Sequence, residues 1–449
     1  MRYNLKGYNS KNVLFVIPPL SEIYPNSVED AEEVDVIHPS LGILYLSSYI
    51  KKHGYNPVVL DHLAKRVGNN VREMIDLIKE LKIGIVFITC MTANYEVALQ
   101  YAIGAKSEGR LVVLGGPHAS CCAYSVIQSP YIDIVSEGEG EQTTLELLNA
   151  LYASEDINKV AGVVFLENGH VVRMRKRARI SDLDRIPIPD YIGINMSPYI
   201  RTQSLGMISS RGCPNNCLFC SSRCIWGNRI AYRSINNIIE EMDFLCGQYN
   251  YAGKELLFYD DNITLNRKRL KALCDSMIDR EYNFKWKCMS RVDTISSEML
   301  ESMKKAGCYS ISFGVESANE YSLNMTNKNI SIEKVEQAIT MCKEAGIIFH
   351  GYFMIGFPWE TKRDFMDTVS FICSHSDMEA SLSVLTPYPG TSFFDEREKW
   401  NIEIDEDWRK YNHISSAIKC SNFDAHDIYA AFSVYLLEEE RKRKNESTR

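Results

Sequence analysis

From Val13 to about Tyr152, short apolar runs alternate with stretches of helical period, and this alternation constrains the fold more than any single residue does. The runs are VLFVI (13–17), PVVL (57–60), IGIVFIT (83–89), LVVL (111–114) and IDIV (132–135). Amphipathic stretches follow the first three at 41–53, 71–80 and 95–107, a short connection follows the fourth, and 143–152 follows the last. Strands that are apolar throughout belong to a parallel sheet covered on both faces. Residues 11–155 are therefore expected to form a Rossmann-like, doubly wound α/β domain of about five strands. Ligands of such sheets sit beyond the carboxyl ends of the strands. Those ends are PPL (18–20), TCMTANY (89–95), GGPHAS (115–120) and SEGEGE (136–141), rich in small or polar residues that let a ligand approach backbone.

Residues 156–200 read as a hairpin and a linker. AGVVFLENGHVVRMRKRARI (161–180) is expected to turn at Asn168-Gly169, a pair suited to a type I′ turn. The basic stretch Arg173–Arg179 lacks interleaved aromatic residues and reads as a solvated strand, not a nucleic-acid patch. SDLDRIPIPD (181–190) supplies the Pro-rich linker. A second series then begins near Leu205. Strand-like runs at 205–209, 255–259, 284–289, 309–314, 347–354 and 380–386 are separated by helical stretches at 234–249, 267–280, 297–305, 331–345 and 361–374. Ser234 and Ser331 are suited to cap two of them. This order predicts a partial (β/α)6 TIM-type barrel over 201–395, with 396–449 as a small C-terminal segment capping one end.

Composition limits what else the chain is. Its 449 residues, 45% hydrophobic and 24% charged, are those of a globular protein, and a net charge of −8 gives no general attraction to nucleic acid. There is no apolar run near 18 residues and no apolar signal core in MRYNLKGYNSKNVLFVIPPL, so a cytoplasmic protein without a membrane span is expected. Fourteen cysteines are scattered except in RGCPNNCLFC (211–220) and at Cys224, which suggests reduced thiols and a metal site. Two sites are open to that loop. Cys213, Cys217, Cys220 and Cys224 together would close a tetrahedral zinc site. The first three alone would hold an iron–sulfur cluster with one iron left open for chemistry.

C-x3-C-x2-C with Phe219 before its last cysteine, on a six-fold βα series, resembles the radical S-adenosylmethionine (SAM) enzymes. The resemblance implies a 4Fe-4S cluster on Cys213, Cys217 and Cys220, with Cys224 a bystander. It implies that the open iron binds SAM and that an electron from the cluster cleaves it to a 5′-deoxyadenosyl radical. Four further segments match at strand ends. FYDDNIT (258–264) would offer Asp260, Asp261 or Asn262 to the cofactor amino group, and KCMSRVD (287–293) would offer Ser290 and Arg291, the arginine to its carboxylate. SFGVES (312–317) would bring Glu316 and Ser317 near the ribose, and GYFMIGFPWET (351–361) would bring Ile355 and Gly356 near the adenine.

The N-terminal segments HPSLGILYLSSYIKKHGYNPVVLD, CMTANY, GGPHAS and EGEGE resemble the cobalamin-binding (B12-binding) domain of one large radical SAM subgroup. On that resemblance Pro18, Pro19, Thr89, Met91, Thr92, Gly115, Gly116, Pro117 and Glu137 would line the cobalamin crevice. His118 would be either a cobalt ligand or a loop residue. The D-x-H-x-x-G motif that supplies a lower ligand elsewhere is absent, since Asp61-His62 and Asp424-Ala425-His426 do not fit it. The function implied is a cobalamin-dependent radical SAM methyltransferase acting on an unactivated carbon of a small-molecule or peptide substrate, with an electron donor such as flavodoxin or ferredoxin. The alternative keeps both cofactors and ends in cyclisation, rearrangement or oxidation. An RNA methylthiotransferase would need a second cluster, for which the first 200 residues offer only Cys90, Cys121 and Cys122.

Overall fold

The computed structural model describes residues 5, 7–9, 11–19, 38–65, 70–191 and 193–446; Leu20, part of the first strand-end segment, lies outside them. The chain divides into two compact units. The first comprises 1–206, 224–227 and 231–244, and the second 207–223, 228–230 and 245–449.

In the first unit, β1 (Asn12–Ile17), β2 (Asn56–Asp61), β3 (Ile85–Thr89), β4 (Leu111–Gly115) and β5 (Ile134–Ser136) run parallel in the order β2-β1-β3-β4-β5. The apolar runs have a physical reason here. Val13, Phe15 and Ile17 of β1 pack with Ile43, Ile50, Leu147 and Leu151 on one face. Leu14 and Val16 pack with Met74, Ile78, Ala98 and Tyr101 on the other. Each such side chain contributes roughly 1.5–3 kcal/mol of burial. The strand order reverses between β1 and β3, so the crevice of this sheet opens where Pro18, Pro19 and the loop after Thr89 lie.

The hairpin β6 (Val163–Glu167) and β7 (His170–Arg173) extends this sheet by two antiparallel strands. It turns at Asn168 and Gly169, both at positive φ. In the basic stretch Arg173, Arg175 and Lys176 are exposed, as expected of a solvated strand, while Arg177 is half-buried. Arg173 donates twice to Glu137, at 2.7 and 3.0 Å, while Arg177 donates to Thr143 Oγ1, Ala161 O and the Glu146 carboxylate, so these cations tie the outer strands to the domain.

In the second unit, the short β8 (Gly206–Met207) borders β9 (Glu255–Phe258), β10 (Lys285–Ser290), β11 (Cys308–Glu316), β12 (Ile348–Ile355) and β13 (Met378–Val384), hydrogen-bonded in chain order. β9 to β13 are parallel. Helices at Arg267–Asp279, Ser297–Lys305, Ile332–Glu344 and Lys362–Ser374 connect them, and Ser331 caps its helix by accepting from Lys334 N. Strands adjacent in sequence and adjacent in space, with the first and last unpaired to each other, make an open barrel segment. The C-terminal helix Ala425–Glu446 packs on the Lys362–Ser374 helix and β13. Asn422 reaches Pro358 O at 2.8 Å, so the C-terminal segment also covers the carboxyl end of β12. No helix among the described residues is long and apolar enough to cross a membrane.

Candidate functional site

The loop that carries Cys213, Cys217 and Cys220 leaves β8 on a prepared footing. Ser209 N, Ser209 Oγ and Ser210 Oγ all donate to the fully buried carboxylate of Asp260, which anchors the approach to the loop. Leu218 N then bonds Thr326 O at 3.0 Å and Ser392 N bonds Leu218 O at 3.1 Å, fixing its middle. The three thiols are half-buried, and burial pushes the Cys220 thiol up to about 12. Burial also raises Cys217, although Lys328 and Arg291 pull it down. Thiols held in this way become thiolates when a metal compensates the charge. Among the described residues no three His, Cys, Asp or Glu side chains gather about a single-ion position.

The strand-end residues form a polar group around these thiols. Arg291 Nη1 lies 4.0 Å from Cys217 Sγ, while its other nitrogens bond Asp293 at 2.9 Å and Lys328 O at 2.8 Å. Lys328, which the sequence did not single out, donates to Glu316 Oε1 at 2.8 Å and stands 5.9 Å from the centre of the Phe219 ring. Glu316 holds a positive φ of 73°, a conformation that non-glycine residues adopt where the surroundings impose it. Asp261 accepts from Ser222 Oγ at 3.0 Å and raises the Cys220 pKa. Asn262 Oδ1 accepts from Thr264 and Thr294 hydroxyls, at 2.9 and 3.3 Å, while its buried Nδ2 has no partner among the described residues. A buried donor left so costs about 1–3 kcal/mol unless a ligand meets it.

Other predicted residues serve the frame. Asp260 is committed to the two serines, and Ser290 Oγ is 2.5 Å from Thr264 Oγ1 in the hydroxyl cluster. Glu360, also unflagged by the sequence, joins two predicted segments. It accepts from Gly356 N and Phe357 N, each at 3.0 Å, from Ser322 Oγ at 3.1 Å and from Ser317 Oγ at 3.4 Å. Burial lifts its carboxyl to about 7 against those donors. Ile355 is buried at the end of β12, and Gly356 follows at a φ of 94°. Phe219 lies 6.4 Å from Phe357, next to that turn.

In the first unit the strand ends are fastened to one another. At Gly116 the φ is 97° and a Cβ would stand 2.7 Å from Cys90 O, so only glycine lets the β3 and β4 loops meet. His118 N bonds Cys90 O, its ring Nδ1 lies 3.2 Å from Thr92 Oγ1, and the Tyr95 ring lies tilted against it, with centroids 4.6 Å apart. Burial drives its pKa down to about 4, so the ring is neutral at pH 7. Asn94 Nδ2 reaches Pro19 O at 3.3 Å, bracing the β1 end against the β3 loop. Pro18 and Thr92 are buried, Pro19, Thr89 and Gly115 half-buried, and Met91 and Pro117 exposed. Glu137 is held by Arg173. A Cβ at Gly138 would meet nothing within 4 Å, which leaves backbone there open to a ligand. These strand ends suit a large ligand that approaches backbone.

One difference from the sequence reading concerns Cys224. It is not a spare thiol: it forms a disulfide with Cys121, so the thiols are not all reduced and a four-cysteine site loses its fourth member. The same bond removes Cys121 from any second cluster in the first unit.

A doubly wound domain with an open backbone crevice, followed by an open parallel barrel with three thiols in its first loop, defines an α/β cofactor enzyme. The B12 binding domain profile matches residues 30–148 and the Radical SAM superfamily profile matches 207–372. An uncharacterized methyltransferase of Pyrococcus horikoshii is 32% identical over 421 residues, covering 93% of this chain and 89% of that protein. The anaerobic magnesium-protoporphyrin IX monomethyl ester cyclase of Rubrivivax gelatinosus is 29% identical over 90% of this chain and 74% of its own length. The structure of the radical SAM methyltransferase TsrM from Kitasatospora setae, with cobalamin and a 4Fe-4S cluster bound, superposes with a TM-score of 0.78 at 15% identity, covering 96% of this chain and 89% of that one. The chain belongs to the radical SAM enzymes that carry a B12-binding domain. Its cofactors are accordingly a 4Fe-4S cluster, SAM and cobalamin.

Proposed function

We propose that the chain transfers a methyl group to an unactivated carbon of a small-molecule or peptide substrate. The observation that carries this reading is the joint presence of the three-thiol loop, with Arg291 and Lys328 beside Cys217, and a B12-binding domain in a chain 32% identical to a methyltransferase over nearly its whole length. When bound, the cluster and SAM supply a 5′-deoxyadenosyl radical, and cobalamin supplies the methyl group. Cys213, Cys217 and Cys220 would hold the cluster. Arg291 would balance the cofactor carboxylate, and Asp261 and the unmatched Nδ2 of Asn262 would meet its polar groups. Ile355, Gly356 and Phe219 would bound its apolar side, while Asp260, Ser290, Ser317 and Glu360 keep the strand ends in place. In the domain of residues 11–155, Pro18, Pro19, Thr89, Met91, Thr92 and the Gly115–Pro117 backbone would receive cobalamin. His118 and Glu137 would fasten the loops there. The barrel of residues 201–395 draws its electron from a donor such as flavodoxin or ferredoxin, in the cytoplasm.

Cyclisation without methyl transfer is the second reading, favoured by the 29% identical cyclase. Product analysis separates the two. Protein reconstituted with iron, sulfide and hydroxocobalamin, then reduced with SAM, should yield both S-adenosylhomocysteine and 5′-deoxyadenosine. 5′-Deoxyadenosine alone would favour cyclisation, and failure to retain cobalamin would overturn the methyltransferase reading.

A further inference from the structure

Cys121 and Cys224 are 103 residues apart in sequence, yet they pair with their Cα atoms 6.3 Å apart, within the span a disulfide takes without backbone movement. Both ends stand close to functional segments. Cys121 closes the short helix Pro117–Cys121 three residues after His118, and Cys224 lies in the helix Ser222–Trp226 four residues after Cys220. Both cysteines are half-buried, within reach of a small thiol or disulfide. Cys122, the residue next to Cys121, lies outside the bond. Among the described residues no second disulfide accompanies it, so the bond belongs to no disulfide framework.

We propose that Cys121 and Cys224 form a reversible disulfide, a redox clasp that fastens residues 224–227 to the Pro117–Cys121 helix of the first unit. The oxidant is a low-molecular-weight disulfide. One cysteine thiolate attacks it, breaking its S–S bond and releasing one small thiol, and a mixed disulfide forms. The second cysteine thiolate then displaces the other small thiol, so two protein thiols are oxidised and one small disulfide is reduced to two thiols. Excess small thiol reverses both steps. Only Ser221–Arg223 separate the clasp from Cys220, so the bond restrains the segment by which the chain leaves its three-cysteine loop.

The test uses the full chain reconstituted with its cluster and held anaerobically in mixtures of reduced and oxidised glutathione, trapped by alkylation and read by peptide mass spectrometry. A Cys121–Cys224 crosslink should grow with the oxidised fraction, vanish in excess reduced glutathione, persist in Cys122→Ser and be lost in Cys224→Ser. Tryptic cleavage after the exposed Arg223 and Arg229 should slow several-fold in the oxidised wild type and be insensitive to glutathione in Cys224→Ser. Alkylation of both thiols across the whole range would overturn the proposal, as would Cys224 linked to any other cysteine, or equal cleavage in the two redox states. Should Cys224→Ser not fold, trapping of the wild type decides alone.

Discussion

The two sheets present their ligand ends in opposite ways. In the first unit the loops after β3 and β4 are closed on each other through Gly116, Cys90 and His118, and the one acidic candidate, Glu137, is neutralised by Arg173. What remains for a ligand is backbone and small side chains. In the second unit, charged groups crowd the thiols: Arg291 at 4.0 Å from Cys217, Lys328 on Glu316 and Asp261 beside Cys220. The difference follows from the ligands. A bulky corrin is recognised by shape against backbone, whereas a cluster and a zwitterionic amino acid group need compensating charge.

The largest effect expected of any substitution is at the loop. Cys217→Ala should abolish the cluster and all reductive cleavage of SAM, because a three-thiolate site cannot spare an anchor, while Cys224→Ala under reducing conditions should leave iron content and cleavage intact. Iron and sulfide analysis with 5′-deoxyadenosine assays checks both. Equal damage from the two would restore a four-cysteine site and erase the charge-based account of the second unit.

Arg291 comes next. Its loss should raise the SAM dissociation constant roughly 10- to 150-fold, the equivalent of about 1.5–3 kcal/mol for a charged hydrogen bond. The guanidinium already holds Asp293 and Lys328 O, so Arg291→Lys, which keeps charge but not the fork, should recover only part of the affinity. Equilibrium binding and thermal unfolding measured together separate the roles. A large fall in melting temperature with unchanged affinity would make Arg291 a structural ion-pair residue.

How much of this was legible in the sequence depends on range. Strand and helix periods are local, and the elements of the barrel lie within a few residues of their expected bounds, as with the helix predicted at 297–305 and found at Ser297–Lys305. The Asn168-Gly169 turn is local chemistry too. What sequence could not resolve is which neighbour a polar side chain meets. Asp260, Asp261 and Asn262 are alike in composition, yet one anchors Ser209, one accepts from Ser222 and one keeps an unmatched amide. Lys328 gave no motif-level signal, since its partner Glu316 lies on another segment, and Glu360 stands inside the 351–361 motif but is tied to Ser317 and Ser322 from other segments. The Cys121–Cys224 bond spans 103 residues, and no spacing rule reaches that far.

The same contrast predicts opposite pH behaviour in the two units. Burial lowers His118 to about 4, so the unfolded chain takes up a proton first as pH falls below about 6.5, and the first unit loses stability down to about pH 4. Burial raises Glu360 to about 7, so its contribution is full below about 4.5 and is lost as pH rises through about 7. Each is worth roughly 3 kcal/mol. Hydrogen exchange across pH 4–7.5 should show Thr92 to Cys122 loosening toward acid and Gly356 to Glu360 loosening toward base. His118→Gln should flatten the first trend alone, and parallel trends in both regions would refute the assignment.

The smallest effect tests whether Glu137 belongs to the frame or to the ligand. Arg173 is 63% exposed and Glu137 only 9%, so the pair sits at the rim, where such bridges contribute about 1 kcal/mol or less. Removing the arginine frees a carboxylate beside the proposed crevice without touching the backbone there. If Glu137 only fastens the hairpin to β5, Arg173→Ala should lower the melting temperature slightly, more at low salt than at high, and leave hydroxocobalamin retention unchanged. A change in retained cobalamin, measured by its visible absorbance after gel filtration, would mean that the freed carboxylate acts on the ligand, and that the first unit too recognises its cofactor partly by charge.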